Sequence, residues 1–187
     1  MPQPKELISA AAIATRIAGL AREIDQTLPP GPLTVVGVLR GAFIFMADLV
    51  RAIPREMTCD FLGVRSYGDA TVSSGVVEIT SDLAAPIANR HVLLVEDIAD
   101  TGLTLGYLLE LLAARGPASL HTCVLLSKPW AAAPAETGAA QSRPGKIEVP
   151  AKIDFVGFEA PDAFVVGYGL DAAQIYRNLP YVGVLEK

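Results

Sequence analysis

One stretch constrains this chain more than any other: His91-Val-Leu-Leu-Val-Glu96-Asp97-Ile-Ala-Asp100-Thr101-Gly102-Leu103-Thr104-Leu105. Val92 to Val95 form an unbroken apolar run, the pattern of a parallel strand covered on both faces. Acidic residues begin where the run stops. Beyond them Leu105, Leu108, Leu109 and Leu112 recur at i, i+3, i+4 and i+7, which predicts an amphipathic helix ending at Arg115-Gly116-Pro117. Asp100 to Thr104 therefore lie at a helix N-terminus.

A helix N-terminus offers backbone N–H groups and the positive end of the helix dipole, so the junction suits an anion, and Gly102 keeps a Cβ out of the way. Thr101 and Thr104 add hydroxyl donors. The carboxylates of Glu96, Asp97 and Asp100 would repel a phosphate unless sugar hydroxyls, a divalent cation or both engage them. Oxygen ligands suit Mg²⁺, which binds through one or two carboxylates together with substrate phosphates. A helix N-cap alone would account for Asp-Thr-Gly-x-Thr, but not for the adjacent acids at the strand end.

Val92 to Leu105 resembles the phosphoribosyl-pyrophosphate motif of type I phosphoribosyltransferases, nearest to the hypoxanthine (hypoxanthine-guanine) branch. Four further segments resemble that branch in the same order: Gly37-Val-Leu-Arg-Gly-Ala-Phe43, Arg65-Ser-Tyr-Gly68, Leu125-Leu-Ser-Lys-Pro129, and the long run from Asp154 to Asp171. Together they span nearly the whole chain. The resemblance implies an α/β fold: a central, mostly parallel sheet flanked by helices, with a small hood built partly from the C-terminal segment. It also implies purine salvage, in which the 5-phosphoribosyl group of phosphoribosyl pyrophosphate passes to N9 of hypoxanthine or guanine, giving IMP or GMP and pyrophosphate, with Mg²⁺ as cofactor.

Position by position, the resemblance implies that Glu96 and Asp97 bind the ribose hydroxyls and, directly or through water, the Mg²⁺. Asp100 is the candidate general base toward N7 of the purine, and Thr101, Gly102, Leu103 and Thr104 would hold the 5′-phosphate. Arg40, Gly41 and Arg177 match pyrophosphate contacts. Lys128 matches the lysine on the 6-oxo group, and Phe164 the ring stacked on the purine. Backbone groups of Val165 and Asp171 would read the remaining base edge, with Asp171 also a ligand to a second Mg²⁺. Ser66 and Tyr67 resemble the start of a lid that closes to exclude water.

A length of 187 residues suits one domain, residues 1–187, with enough chain to bury a substantial core. Only 19% of residues are charged, and a net charge of −5 without a basic patch speaks against a nucleic-acid surface. Cys59 and Cys123 lie in apolar segments without a C-x-x-C pair, which reads as two buried free thiols in a reducing cytoplasm, a disulfide remaining open. Lys5 before Leu7 to Ala14 imitates a signal peptide, but Arg16 interrupts the run and Ile13, Ile17, Leu20, Ala21 and Ile24 recur with helical period. No apolar run is long enough to span a bilayer.

The predicted order is a helix over about residues 5–26, strand Leu33 to Leu39, helix Ala42 to Ile53, strand Thr58 to Ser66, a loop, the central strand and helix, and a strand from Leu120 to Ser127. Strands alternating with helices place ligands beyond the carboxyl ends of a parallel sheet. Residues 131–146, rich in Ala, Pro, Gly and Ser, read as an exposed loop, and Trp130 to Lys152 is longer than the family's usual link. Gly167-Tyr-Gly169-Leu-Asp-Ala172 fits a loose dinucleotide fingerprint with too little chain after it, and Gly138 to Lys146 lacks P-loop spacing. His91 and His121 start strands and match nothing catalytic.

Three alternatives stand beside this reading. One is transfer to another base such as xanthine. A second is a regulator of the same fold that senses phosphoribosyl pyrophosphate while binding nucleic acid, which would need a basic face or a helix-turn-helix not found here. For the single residues, the plain alternative is a structural role. The resemblance further implies a homodimer or homotetramer and no membrane partner.

Overall fold

The computed structural model describes residues 2–67, 76–100, 102–128 and 152–185. Thr101 and the Ala/Pro-rich segment after Lys128 lie outside the described residues, and so do residues 68–75, where the lid is expected, and the side chains of Ser66 and Tyr67.

The chain runs β1 (Lys5–Ile8), α1 (Ala10–Thr27), β2 (Leu33–Leu39), α2 (Phe43–Ala52), β3 (Met57–Tyr67), β4 (Val76–Ser81), β5 (His91–Ala99), α3 (Leu103–Ala113), β6 (Ser119–Ser127), β7 (Phe155–Glu159), β8 (Val165–Val166) and β9 (Val182–Val184). Six strands form the main sheet in the order β4-β3-β2-β5-β6-β7. Every neighbouring pair is parallel except β3 with β4. A smaller sheet, β1-β9-β8, forms the hood from both ends of the chain.

Burial follows strand alternation. Val35, Leu93 and Val95 pack with Ile13, Ile17, Leu20, Ala21 and Ile24 of α1 and with Phe45, Met46 and Leu49 of α2. Val36, Val38, Val92 and Leu94 pack on the other face with Leu105, Leu108 and Leu112 of α3. The periodic stripes of α1 and α3 are thus the buried ones, and β5 is covered on both sides.

Two expectations are corrected. Residues 5–8 are not the first turn of a helix: β1 pairs antiparallel with β9, Lys5 opposite Val184, and the helix starts only after Ser9, whose hydroxyl accepts the Ala12 N–H at 3.2 Å. The segment between β3 and β5 contains a further strand, β4, as an antiparallel edge. The cysteines also differ from expectation, for Cys123 is buried but Cys59 is exposed. Both are free, and because β2 and β5 lie between their strands they stand too far apart for a disulfide.

β2 leads through α2 to β3 on one side, whereas β5 leads through α3 to β6 on the other. The crevice between the carboxyl ends of β2 and β5 is therefore the topological switch point, where open α/β sheets bind ligands.

Candidate active site

Three loops meet at that crevice. The first follows β2 and carries Arg40 and Gly41. A Cβ added to Gly41 would fall inside the Asp97 carboxylate, so only glycine lets the β2 loop pass so close to the end of β5. The second is the β5–α3 junction. Gly102 is the N-cap, with φ 68°, and offers no side-chain acceptor to the helix tip. A Cβ there would meet nothing within 4 Å, so its glycine answers the left-handed backbone and borders open space. Leu103 and Thr104 begin the helix, half-buried. The third loop follows β6, where the Lys128 ammonium lies 3.2 Å from Asp100 Oδ1 and 3.7 Å from Asp162 Oδ1.

The hood closes over the β2 loop. A Cβ on Gly169 would collide with the Gly41 carbonyl oxygen, and the backbone there has φ 102°. Arg177 donates to the Gly169 carbonyl at 2.6 Å and pairs with Asp171 Oδ1 at 2.6 Å. The Gln174 side-chain carbonyl accepts from Arg40 at 3.3 Å and from Arg177 at 3.4 Å. Arg40, Gly41, Asp97, Asp171 and Arg177 therefore form one polar cradle, beside the Asp100–Lys128 pair. The Tyr168 hydroxyl donates to Asp48, tying the hood to α2.

A profile of the phosphoribosyl transferase domain matches residues 5–173, nearly the whole chain. The chain belongs to the phosphoribosyltransferase family. It is 46% identical over 182 residues to the hypoxanthine-guanine phosphoribosyltransferase of Bacillus subtilis (strain 168), covering 97% of this chain and 93% of that one. With the hypoxanthine phosphoribosyltransferase of Haemophilus influenzae it shares 46% identity over 186 residues, covering 97% and 96%. Among solved structures, a hypoxanthine-guanine phosphoribosyltransferase from Bacillus anthracis superposes with TM-score 0.84 at 35% identity, covering 98% of this chain and all of that one. A hypoxanthine phosphoribosyltransferase from Staphylococcus aureus gives 0.82 at 38%, covering 97% and 91%.

Electrostatics in this phosphoribosyltransferase resolve the difficulty of placing three carboxylates beside an anion site. Glu96 is 6% exposed, Oε2 has no hydrogen-bond partner, and burial aided by the Asp97 charge pushes its carboxyl up to about 8. Burial thus favours the protonated form of Glu96. Asp97 is also raised, to about 6, by burial first and by the Asp171 charge, while its own N–H, that of Ile98 and the Arg177 charge oppose the rise. Asp100 is matched by Lys128. Protonation of Glu96 and the Lys128–Asp100 pair lower the net negative charge of the junction, while Asp97 keeps its own.

The two adjacent acids at the end of β5 do not share a face. By strand alternation Glu96 falls on the α3 side of β5 with Val92 and Leu94, and Asp97 on the opposite side with Leu93 and Val95. Among the described residues no three of His, Cys, Asp and Glu are placed to hold a metal ion, so Glu96 and Asp97, expected at one Mg²⁺, and Asp171, expected at a second, form no all-protein cage. Phe164 stands 55% exposed, while Val165 is buried and paired with Val184. No described segment near Arg177 is helical; Arg177 lies inside the turn in which the Leu179 N–H donates to the Tyr176 carbonyl at 3.0 Å. Gln174 was not foreseen, since a lone glutamine in a loop carries no sequence signal.

Proposed function

We propose that the chain transfers the 5-phosphoribosyl group of phosphoribosyl pyrophosphate to N9 of a 6-oxopurine, hypoxanthine or guanine, releasing pyrophosphate. One observation carries the reading: a buried acidic strand end and a glycine-led helix tip lie at one sheet edge with an arginine cradle and a Lys128–Asp100 pair. Each subsite matches one part of the two substrates.

The tip formed by Gly102, Leu103 and Thr104, with Thr101, takes the 5′-phosphate through N–H groups and hydroxyls. Glu96 and Asp97 engage the ribose hydroxyls, and neutral Glu96 can donate as well as accept. Lys128 donates to the purine 6-oxo group. This selects hypoxanthine and guanine over adenine, whose 6-amino group would meet an ammonium. Asp100 receives the N7 proton as N9 bonds to C1′ and the C1′–O bond to pyrophosphate breaks; a carboxylate is a weak base, so its help rests on proximity. Phe164 lies against the base, with Val165 and Asp171 backbone groups at its remaining edge.

Arg40, the Gly41 backbone and Arg177 hold the diphosphate and stabilise its growing charge as it departs. Asp97 and Asp171 lie close enough to repel, an acidic pair suited to a cation bound through one or two carboxylates plus substrate oxygens rather than in an all-protein cage. When bound, Mg²⁺ supplies neutralisation of the leaving diphosphate. Ser66 and Tyr67 open the lid. Free thiols suit a reducing cytoplasm, and among the described residues no helix is long and apolar enough to cross a membrane. The working assembly is a homodimer or homotetramer.

Parallel assays of hypoxanthine, guanine, xanthine, adenine and uracil with phosphoribosyl pyrophosphate and Mg²⁺ test the reading. Turnover should be confined to oxo-purines. Preferential use of adenine or uracil would overturn the base assignment.

A further inference from the structure

The turn that carries Gln174 is built against backbone preference. Ala172 and Ile175 exchange both backbone hydrogen bonds, at 3.2 and 3.1 Å, so Ala173 and Gln174 are the central pair of a two-residue hairpin. Their φ angles are 51° and 70°. A turn with positive φ at both centres is of the I′ kind, which asks for Asn-Gly or Gly-Gly because a Cβ in the left-handed region is strained. Neither central residue here is one of those. Strain held at a ligand cradle points to a side chain the site needs.

The strained backbone aims Gln174 in two directions. Its N–H donates to Asp171 Oδ2 at 2.7 Å, fixing the carboxylate whose other oxygen pairs with Arg177. Its side-chain carbonyl meets the guanidinium of Arg40, from the β2 loop, and that of Arg177, from the hood. Two cations from separate elements thus share one neutral acceptor, which offsets part of their repulsion without cancelling the charge an anion would bind. We propose that Gln174 is a positioning residue of the diphosphate subsite, its side-chain carbonyl holding the Arg40 and Arg177 guanidiniums together so that both face one diphosphate, and keeping those contacts when diphosphate binds. This rests on reading Arg40 and Arg177 as diphosphate contacts.

Pyrophosphate inhibition of the full-length enzyme, with Mg²⁺ present, tests it through Gln174→Gly and Gln174→Met, alongside Arg40→Ala. Glycine relieves the φ strain while deleting the acceptor, so it separates positioning from folding. Both Gln174 variants should raise the pyrophosphate inhibition constant about fivefold, the worth of roughly one hydrogen bond. The KM for hypoxanthine should stay unchanged, and Gln174→Gly should melt no lower than the parent. Inhibition constants within about twofold of the parent would overturn the proposal, as would a fall in melting temperature with every kinetic constant worsening together. A weakened Arg40→Ala beside unaltered Gln174 variants defeats this inference alone. An unaltered Arg40→Ala defeats the diphosphate reading beneath it.

Discussion

Replacing Glu96 by Gln should flatten the pH dependence of folding stability between about pH 6 and 8, the window set by the two raised carboxyls. An unfolded Glu96 ionises near its ordinary 4.5, whereas the buried one holds its proton to about 8. Between those values the folded chain binds one more proton than the unfolded chain, so raising the pH favours unfolding, and the contribution of the neutral form is lost as pH rises through the folded pKa. The slope is about 1.4 kcal/mol per pH unit for one proton, so the parent should lose about 2–3 kcal/mol relative to the variant from pH 6 to 8. For a chain of this size that is roughly 4–12 °C in Tm. Asp97, raised only to about 6, spends its own loss mostly below this window. The amide left buried in Glu96→Gln costs stability equally at every pH, so the difference in slope is diagnostic. Thermal unfolding of substrate-free protein from pH 5.5 to 8.5 measures it. Parallel curves for parent and variant across pH 6 to 8 would refute a buried neutral Glu96.

Gly41→Ala should raise the KM for phosphoribosyl pyrophosphate and destabilise the fold by about 1–3 kcal/mol, because the added methyl enters the Asp97 carboxylate; steady-state kinetics and melting check both effects. Asp100→Asn should lower kcat by about a hundredfold while sparing the equilibrium binding of phosphoribosyl pyrophosphate, since the proton acceptor is lost but the helix tip is not. Single-turnover kinetics with direct binding separate the two, and an unaltered rate would remove Asp100 from the mechanism.

Much of this architecture was legible because local pattern and tertiary burial agree. Val92 to Val95 read as a doubly covered strand and are one, and the five-residue stripe of α1 is its buried face. What stayed hidden depends on distant partners. Lys5–Ile8 is a strand only because β9, near the other end of the chain, pairs with it; in sequence no Gly or Pro separates it from α1. β4 is an edge whose register comes from β3. Cys59 sits among apolar neighbours in sequence, yet its strand leaves it exposed. At the site, the residue types were readable, but their charge states were not: nothing in Glu96-Asp97 announces that burial leaves one of them neutral. Gln174 acts through geometry alone, two guanidiniums brought to it by separate loops.

The most direct measurement is an amide NMR titration with ribose 5-phosphate. If the acidic end of β5 and the tip of α3 hold the phosphoribosyl group, the largest shifts should fall on residues 96–104, led by Gly102, Leu103 and Thr104. Saturable shifts centred elsewhere on the molecule, with these amides unmoved, would contradict it.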